Sequence, residues 1–360
     1  MRILILGSVA LPVPPPMQGG TERIAYWQAR ELAKRGHTVT LIAAKGSKAD
    51  PSYALVEIGG GDTVAGSSNH LPESGSFTEG SRNLRKELIY MTQVAQWMLD
   101  HGNAFDMILN NMRGGESVLL PIAALLKLPF VTVMHLPIFD GLAEQFRFYR
   151  TPVITISNAQ RAGFDGITYV GTVYNAADLD ELPYQEKPGD YLLMMGSIAP
   201  HKNQKDGISV AKSLGKKIIL AGKIGNPAYW ESEIVPLVDG KNVIHTGEMG
   251  IAEKAALLGG AEALLFPVVW PEPFGLVMIE ALACGTPVVA YGNGAVPEVI
   301  TQGKTGFVVD QSQGVGGLAV ATKRIGEIRR ADCRAEVEKR FTIARMIDSL
   351  EQALTAVVHS

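Results

Sequence analysis

Short, almost wholly apolar runs alternate along this chain with longer segments in which apolar residues recur at helical spacing. In the first half the runs predict strands near 2–7, 38–43, 106–110, 129–134 and 153–157. In the second half they predict strands near 191–195, 217–221, 243–245, 263–266, 287–291 and 307–309. Apolar strands separated by helices are typical of parallel sheets covered on both faces, so the pattern predicts an α/β protein.

Two parts of the chain follow the same plan. RILILG (2–7) and YLLMMG (191–196) are apolar runs that end in Gly and precede a loop and a helix, and each has a second strand downstream. At 360 residues the chain also exceeds the roughly 250–300 residues at which one core stops growing. We therefore predict two doubly wound Rossmann-like domains that face each other across a cleft, with the ligand at the carboxyl ends of the strands.

Composition and pattern also set the expected boundaries. We predict an N-terminal domain over residues 1–180, a C-terminal domain over 181–334, and a helical tail over 335–360 that packs back onto the N-terminal domain. The segment 178–189 is dense in charge and Pro and is the predicted linker. The polar, Gly- and Ser-rich segment 45–83 is predicted to be largely loop.

Charge and cysteine content exclude several classes of protein. The formal net charge is −3 and no Lys/Arg run exceeds a pair, which argues against a nucleic-acid partner. Two cysteines, Cys284 and Cys333, form neither a disulfide framework nor a metal-binding pattern. The apolar N-terminal run is too short for a signal peptide, and Pro and Lys interrupt the apolar region 118–139, which predicts a helix followed by a buried strand. We expect a cytoplasmic protein.

The segment from Leu276 to Cys284 predicts an apolar helix that contains one carboxylate, Glu280, and stops at Gly285. An unpaired charge in such surroundings costs at least several kcal/mol. Glu280 therefore needs a partner, which is either a ligand diol such as that of a ribose or a buried Arg. The start of this helix, at Phe274, offers free backbone N–H groups and the positive end of the helix dipole, as a phosphate site requires.

Glu272 and Glu280, within EPFGLVMIEALACGTPVVA, resemble the Glu-x7-Glu motif of retaining GT-B glycosyltransferases of family 4, the "group 1" family. GNGAVPEVITQGKTGFVV downstream, LLMMGSIAPHKN upstream and the N-terminal GGTE follow the same family pattern. The resemblance thus covers most of the chain. It implies that Glu272 binds the hydroxyls of the donor hexose and that Glu280 binds the nucleotide ribose. It also assigns donor contacts to the backbone of three residues, Phe274, Gly275 and Leu276.

The resemblance implies further donor contacts elsewhere in the chain. His135, at the end of a predicted strand, falls near the donor sugar, and Gly20 in GGTE falls near the donor phosphate or the acceptor. Lys202 matches a lysine that neutralises the diphosphate, but Ser197 stands where the family usually has Arg. His201 and Lys223 are the two candidates to replace that missing cation.

The resemblance implies a retaining hexosyltransferase that moves a hexose from a nucleoside diphosphate sugar, such as UDP-glucose, to an acceptor hydroxyl. His135, Glu272 and Lys202 are the expected catalytic residues, and no cofactor or metal is expected. The sequence Asp178-Leu179-Asp180 imitates a metal-binding motif but lies in the predicted linker. The acceptor is a small molecule, a glycan or a lipid-linked sugar, with at most peripheral membrane contact, for which 139–150 is a candidate.

Two alternative functions remain open. A nucleotide-sugar 2-epimerase uses a similar two-domain fold, and Ser197 leaves room for a non-catalytic nucleotide-sugar-binding protein. A nicotinamide dehydrogenase is disfavoured because the loop after the first strand lacks a G-x-G-x-x-G turn.

Overall fold

A computed structural model of the protein describes residues 1–8, 10–15, 19–59 and 77–358. The chain forms two compact units. Unit 1 comprises Met1–Ile156, Arg161–Val173 and Ile347–Ser360, and unit 2 comprises Ser157–Gln160 and Tyr174–Met346. Each unit is built around its own parallel sheet.

Unit 1 contains a seven-stranded sheet in the order β3-β2-β1-β4-β5-β6-β7, in which every pair of neighbours is parallel. Its strands are β1 (Arg2–Leu6), β2 (Thr38–Ala44), β3 (Ala54–Ile58), β4 (Met107–Asn110), β5 (Phe130–Met134), β6 (Val153–Thr155) and β7 (Tyr169–Thr172). The five strands predicted from apolar runs are confirmed, and they form the centre of the sheet.

The two strands that the sequence did not predict, β3 and β7, are the edges of this sheet. Neither has a fully buried residue, so neither needed the continuous apolar run by which the central strands were recognised. β3 lies inside the segment 45–83, which was predicted to be largely loop. For the residues of β3 the structure shows a strand instead. Residues 60–76 of that segment lie outside the described residues.

The helices of unit 1 are α1 (Gly20–Lys34), α2 (Phe77–His101), α3 (Gly115–Val118), α4 (Leu120–Leu126) and α5 (Asp140–Tyr149). The region 118–139 forms α4 followed by β5, as predicted. No helix in the described residues combines the length and apolarity needed to cross a membrane. α1 begins within the GGTE segment, and its N-cap is Gly19, without a side-chain hydrogen bond.

Unit 2 contains a six-stranded parallel sheet in the order β10-β9-β8-β11-β12-β13. Its strands are β8 (Tyr191–Met195), β9 (Lys217–Ala221), β10 (Val243–Gly247), β11 (Ala263–Phe266), β12 (Val288–Tyr291) and β13 (Gly306–Val309). All six were predicted. β11 and β12 are fully buried, as strands covered on both faces must be.

The helices of unit 2 are α6 (Gln204–Ser213), α7 (Pro227–Tyr229), α8 (Ile251–Gly260), α9 (Leu276–Ala283), α10 (Val296–Val299), α11 (Gly314–Lys323) and α12 (Arg330–Arg340). A π-helical turn, Trp230–Ile234, continues α7. The last helix, α13 (Ile343–Val358), begins in unit 2, and from Ile347 onward it belongs to unit 1. The tail predicted as one helical pattern is therefore the end of α12 followed by α13.

The segment predicted as the linker is part of unit 2, because two arginines of α12 bind it. Arg330 is buried and donates hydrogen bonds to the main-chain oxygens of Gln185 (2.8 Å), Gly259 (2.6 Å) and Ala261 (2.9 Å). Arg334 donates to the oxygen of Leu182 at 2.8 Å. Gly259 and Ala261 lie at the C-terminal end of α8, where carbonyls lack helical partners and a cation is favourable.

Both sheets reverse their strand order beside the first strand, between β1 and β4 in unit 1 and between β8 and β11 in unit 2. In open α/β sheets the crevice at the carboxyl ends of strands on either side of such a reversal is the usual ligand site. These two carboxyl edges are therefore where ligand-binding residues are expected.

Candidate functional site

At the carboxyl edge of unit 2, Lys202 and Glu272 form an ion pair. Lys202 lies in the turn after β8 and Glu272 in the loop after β11, and Lys202 Nζ is 2.6 Å from Glu272 Oε2. The ammonium also lies 5.4 Å from the centroid of the Trp270 ring and 5.7 Å from that of Phe266, within the range of a cation–π contact. Two predicted catalytic residues are thus brought together across 70 residues of sequence.

The Glu272 carboxylate is buried and its orientation is fixed. Trp270 Nε1–H donates to Glu272 Oε2 at 2.9 Å, on the same oxygen that accepts from Lys202. Within the described residues both of these bonds end on Oε2, so Oε1 is available to a hydroxyl donor.

The backbone of Glu272 is held by the loop after β12. Ala295 N–H donates to Glu272 O at 2.9 Å. Gly294 has φ +57°, and a Cβ at this position would lie 2.3 Å from Glu272 O. In the sequence GNGA is only part of a family pattern, whereas in the structure this loop positions Glu272.

α9 begins at Leu276, inside the segment 274–276 where the helix start was predicted. Gly275 is its N-cap, with φ +82°, and a Cβ there would lie 2.6 Å from Met278 Cε. This position therefore needs glycine for conformation and packing, independently of any ligand. Phe274 is buried against Phe341 and Tyr174, and it fixes the entry into α9 before Leu276.

Glu280 has a protein partner, Lys254 of α8, whose Nζ binds Glu280 Oε1. The partner is a Lys, so the alternative of a buried Arg was wrong. The charge of Glu280 is compensated without a ligand. The predicted end of α9 is confirmed: Gly285 N–H donates to Leu282 O at 2.9 Å and Thr286 N–H to Ala281 O at 2.8 Å, the two bonds of a Schellman motif.

Ser197 lies in a crowded loop after β8. Its Oγ would be 1.9 Å from a Cβ at Gly225, and its carbonyl accepts a hydrogen bond from Gln204 Nε2 at 3.0 Å. The next residue, Ile198, donates its N–H to Lys223 O at 2.9 Å and pairs in parallel register with Ile224.

Lys223 is therefore the neighbour of Ser197 on the adjacent strand extension, and it is exposed. The other candidate cation, His201, has a pKa lowered by burial and by the charge of Lys202, so it is neutral at pH 7. Of the two candidates, Lys223 is the one that brings a charge to this edge.

At the carboxyl edge of unit 1, His135 follows β5 and belongs to a buried polar network. Its Nε2 is 2.8 Å from Asn111 Oδ1, and Asn111 Nδ2 donates to Gln28 Oε1 at 2.7 Å. Because the Asn111 amide donates through nitrogen to Gln28, its oxygen is the acceptor and His135 Nε2 carries the proton. Burial lowers the pKa of His135 to about 4, so the ring is neutral and Nδ1 is a hydrogen-bond acceptor.

His135 lines a cavity of about 140 Å³ that lies within unit 1. The cavity is lined by Ser8, Ala10, Thr21, Glu22, Asn111, Met112, Arg113, Glu116, Thr132, Val133, Met134, His135 and Leu136. Gly20, a predicted donor-binding residue, opens α1 immediately before two of these residues. Asn111, Glu116 and Thr132 were not predicted as site residues, although Asn111 directly follows its strand as His135 does.

No group of three or more His, Cys, Asp and Glu side chains is arranged to hold a metal ion within the described ranges. In the Asp-x-Asp sequence at 178–180, Asp180 N–H donates to Asp178 Oδ1 at 3.1 Å, as in a turn.

Two family models match this chain, and together they cover most of it. Residues 182–329 match the model described as "Glycosyl transferases group 1". Residues 18–171 match the model described as "Glycosyltransferase Family 4". The first match contains the Lys202–Glu272 pair and α9, and the second contains the cavity residues from Thr21 to His135.

Among curated proteins, the chain is 25% identical over 404 aligned positions to glycogen synthase of Mycobacterium tuberculosis, with 96% of this chain and 89% of that protein covered. It is 24% identical over 335 positions to phosphatidyl-myo-inositol mannosyltransferase of Mycobacterium leprae, with 86% and 83% covered. Among solved structures, Anabaena HepE in complex with UDP and glucose superposes with a TM-score of 0.72 at 18% identity, over 99% of this chain and 100% of that one.

Proposed function

Because this chain belongs to the group 1 glycosyltransferases of family 4 and has their GT-B fold, we propose that it transfers a hexosyl group from a nucleoside diphosphate sugar, UDP-glucose or a similar donor, to an acceptor hydroxyl with retention of configuration. The observation that carries this proposal is the Lys202–Glu272 pair beside the start of α9. It combines a cation, a carboxylate and a helix N-terminus at the carboxyl edge of one sheet.

These three features suit the two ends of a sugar diphosphate. Lys202 and the first-turn N–H groups of α9 carry positive charge for the diphosphate. Glu272 Oε1 accepts hydrogen bonds from hydroxyls of the hexose, while Trp270 and Lys202 hold the other oxygen. The complex of HepE with UDP and glucose supports a donor of this class.

We also propose that Glu280 binds the ribose of the nucleotide. Lys254 binds Oε1 of this carboxylate, and a ribose diol would bind the remaining oxygen. The Lys254 ammonium compensates the charge of this carboxylate, and carboxylate oxygens accept hydrogen bonds from the hydroxyls of a diol.

Lys223 is proposed to supply the positive charge that Ser197 lacks. The two residues are register neighbours after β9 and β8, so a diphosphate near Ser197 would also lie near the exposed Lys223 ammonium. Its contribution is electrostatic and is expected to fall with rising salt.

In the proposed reaction the bond between the anomeric carbon and the diphosphate oxygen breaks, and the diphosphate leaves with the electron pair. The acceptor oxygen attacks the oxocarbenium-like carbon from the same face, and its proton passes to an oxygen of the departing phosphate. Lys202 stabilises the charge that develops on the leaving group, and Glu272 positions the sugar. Neutral His135 accepts a hydrogen bond through Nδ1 from a sugar hydroxyl. The proposal needs no cofactor.

The proposal is tested by thermal melting with UDP, GDP, ADP and their common sugars. A ligand at about 100 times its Kd adds roughly 2.7 kcal/mol to the free energy of unfolding. Glu280→Ala should reduce the shift. Glu262→Ala is the matched control, because it breaks another Lys–Glu pair of unit 2, with Lys216, at the opposite edge of the sheet, and it should preserve the shift.

Turnover then separates the alternatives. A hexose attached to an acceptor, with its anomeric configuration retained by NMR, supports the proposal. Conversion of UDP-GlcNAc to its 2-epimer without acceptor would favour the epimerase. A melting shift without turnover of any donor would favour a binding protein, and no shift with any nucleotide would contradict a nucleotide-sugar function altogether.

A further inference from the structure

The cavity of unit 1 lies where a doubly wound sheet places its ligand. Its lining residues lie in or after β5, after β1 and β4, in α3 and at the start of α1, so they surround the reversal of strand order between β1 and β4. Every lining residue in the described part of the chain belongs to unit 1.

Its charged groups are mainly acidic. Glu22, in the first turn of α1, is 5% exposed and lines the cavity, and Glu116 lines it from α3. The cavity also contains one guanidinium, that of Arg113, which already binds the Glu87 carboxylate. Burial raises the pKa of Glu116, which shows that the surroundings disfavour negative charge there. A second anion brought into this cavity would be repelled by Glu22 and desolvated as well.

Its uncharged polar groups suit hydroxyls. His135 presents Nδ1 as an acceptor, because the Asn111–Gln28 network fixes the proton on Nε2. Thr132 is 1% exposed, lines the cavity, and its buried Oγ1 has no hydrogen-bond partner among the described residues. Because this hydroxyl is itself covered by protein atoms, the uncharged acceptor that His135 offers through Nδ1 is the group that carries the argument here.

We propose that this cavity binds an uncharged, polyhydroxylated ring, a sugar or cyclitol, and rejects the same ring when it bears a phosphate or carboxylate. Carboxylates and a neutral imidazole accept hydrogen bonds from ring hydroxyls, whereas they repel an anion. The identification of this ring with a transfer substrate rests on the proposed function. The ring belongs either to the acceptor or to the hexosyl group of the donor.

Saturation-transfer NMR on the full chain tests the proposal. The neutral probes are glucose, mannose, galactose, N-acetylglucosamine and myo-inositol. Each is added at about 20–50 times the protein concentration, so that binding with a millimolar Kd can be detected. The charged probes are glucose 6-phosphate, mannose 6-phosphate and glucuronate. We expect at least one neutral ring to bind, and its charged counterpart to bind at least tenfold more weakly.

Charge-removing variants make the test specific. Glu22→Gln should strengthen binding of the charged probe by roughly tenfold, because like-charge repulsion is removed, and should not strengthen binding of the neutral probe, which loses a carboxylate acceptor. A gain in binding cannot result from misfolding. Glu144→Gln, an exposed carboxylate of α5 outside the cavity, is the matched control and should change neither.

Competition identifies the source of the ring. If UDP-glucose displaces the neutral probe and UDP does not, the cavity binds the donor's hexosyl group; if neither displaces it, the cavity binds the acceptor. Binding of a charged probe as strongly as its neutral counterpart, or no binding of any neutral probe, would overturn the proposal. Probe binding without any nucleotide-induced melting shift would instead contradict the proposed transferase function and leave the cavity's ligand class established.

Discussion

The two carboxyl edges share one strand–loop–helix plan but differ in charge. In unit 1, Glu22 and Glu116 line a cavity beside a neutral His135. In unit 2, each carboxylate of the predicted site is matched by an ammonium, and Lys223 adds an exposed positive charge. If both proposals hold, a few residues after the strands decide whether such an edge binds an uncharged ring or a diphosphate, although both sheets are parallel and reverse their order beside the first strand.

The largest expected effect comes from removing the cation of unit 2. Lys202→Ala should lower kcat by about 10²–10³-fold, because the departing diphosphate loses a placed charge. It also leaves the buried Glu272 without its ammonium partner. Initial rates at saturating donor measure the loss.

Lys216→Ala is the matched control for this prediction, because Lys216 pairs with Glu262 before β9 and β11, at the amino edge of the same sheet. An equal loss of rate in both variants would show that general stability, not position at the carboxyl edge, is responsible.

The next effect tests the neutral state of His135 in unit 1. Its pKa of about 4 lies below the ordinary 6.5, so as the pH falls the unfolded chain binds the proton first. Neutral His135 therefore contributes stability that is fully present above pH 6.5 and is lost as the pH falls towards 4, on the order of 3 kcal/mol in all. Urea unfolding between pH 4.5 and 7.5 should show a weaker pH dependence in His135→Gln than in the wild type.

His101→Gln, which removes an exposed histidine of the same unit, controls for the general effect of losing an imidazole. If its pH dependence changes as much as that of His135→Gln, the assignment of a buried neutral His135 is wrong.

A smaller effect tests the packing that holds Glu272. Gly294→Ala and Gly303→Ala both place Ala at a positive φ, of 57° and 71°, but only at Gly294 would the new Cβ meet Glu272 backbone atoms within 2.5 Å. At Gly303 no atom among those described lies within 4 Å. Each variant should lose about 1–2 kcal/mol from the left-handed conformation, and Gly294→Ala about 2 kcal/mol more.

Chemical denaturation measures the free energy of unfolding of Gly294→Ala and Gly303→Ala, and initial rates measure their transfer activity. Transfer should fall in Gly294→Ala and remain near the wild-type rate in Gly303→Ala. Equal stability and equal rates in the two variants would contradict the positioning role of the GNGA loop.

The smallest effect concerns the exposed cation. Lys223→Ala should weaken UDP binding by about three- to tenfold at low salt and leave uridine binding unchanged, because its charge acts on the diphosphate alone. Calorimetry with UDP, UMP and uridine measures the difference. Lys241→Ala, an exposed lysine before β10 at the amino edge, should weaken none of them; an equal loss of UDP affinity there would remove Lys223 from the site.

Within the described residues, eleven of the thirteen strands could be predicted. Nine of these are central strands, which must be apolar on both faces, and the other two, β10 and β13, are edge strands that still contain buried apolar residues. β3 and β7 are the two edge strands without a buried residue, and they carry ALVEI and YVGT instead of a continuous apolar run. The end of α9 could also be predicted from neighbouring residues alone. It depends on the left-handed Gly285 and on the hydrogen bonds that Gly285 N–H and Thr286 N–H donate to the last turn of the helix.

Partners that come from distant parts of the chain could not be predicted in this way. The helical pattern around Glu280 indicated that a partner was needed, but only the packing of α8 beside α9 selected Lys254. Likewise, Asn111, Glu116 and Thr132 belong to three separate elements or loops, and none of them stands in a motif that predicts the cavity they line.

By itself the sequence determined what short-range physics controls: apolar runs for the central strands, glycines for left-handed turns, and a family motif that brings Glu272 and Glu280 into one segment. Tertiary structure alone decided which charges are paired and which are left for a ligand. It pairs Lys202 with Glu272 and Lys254 with Glu280, and it places His135 in surroundings that keep the ring neutral. The physical reason is that charge compensation and desolvation depend on distances of a few ångströms, which folding sets between residues far apart in the chain.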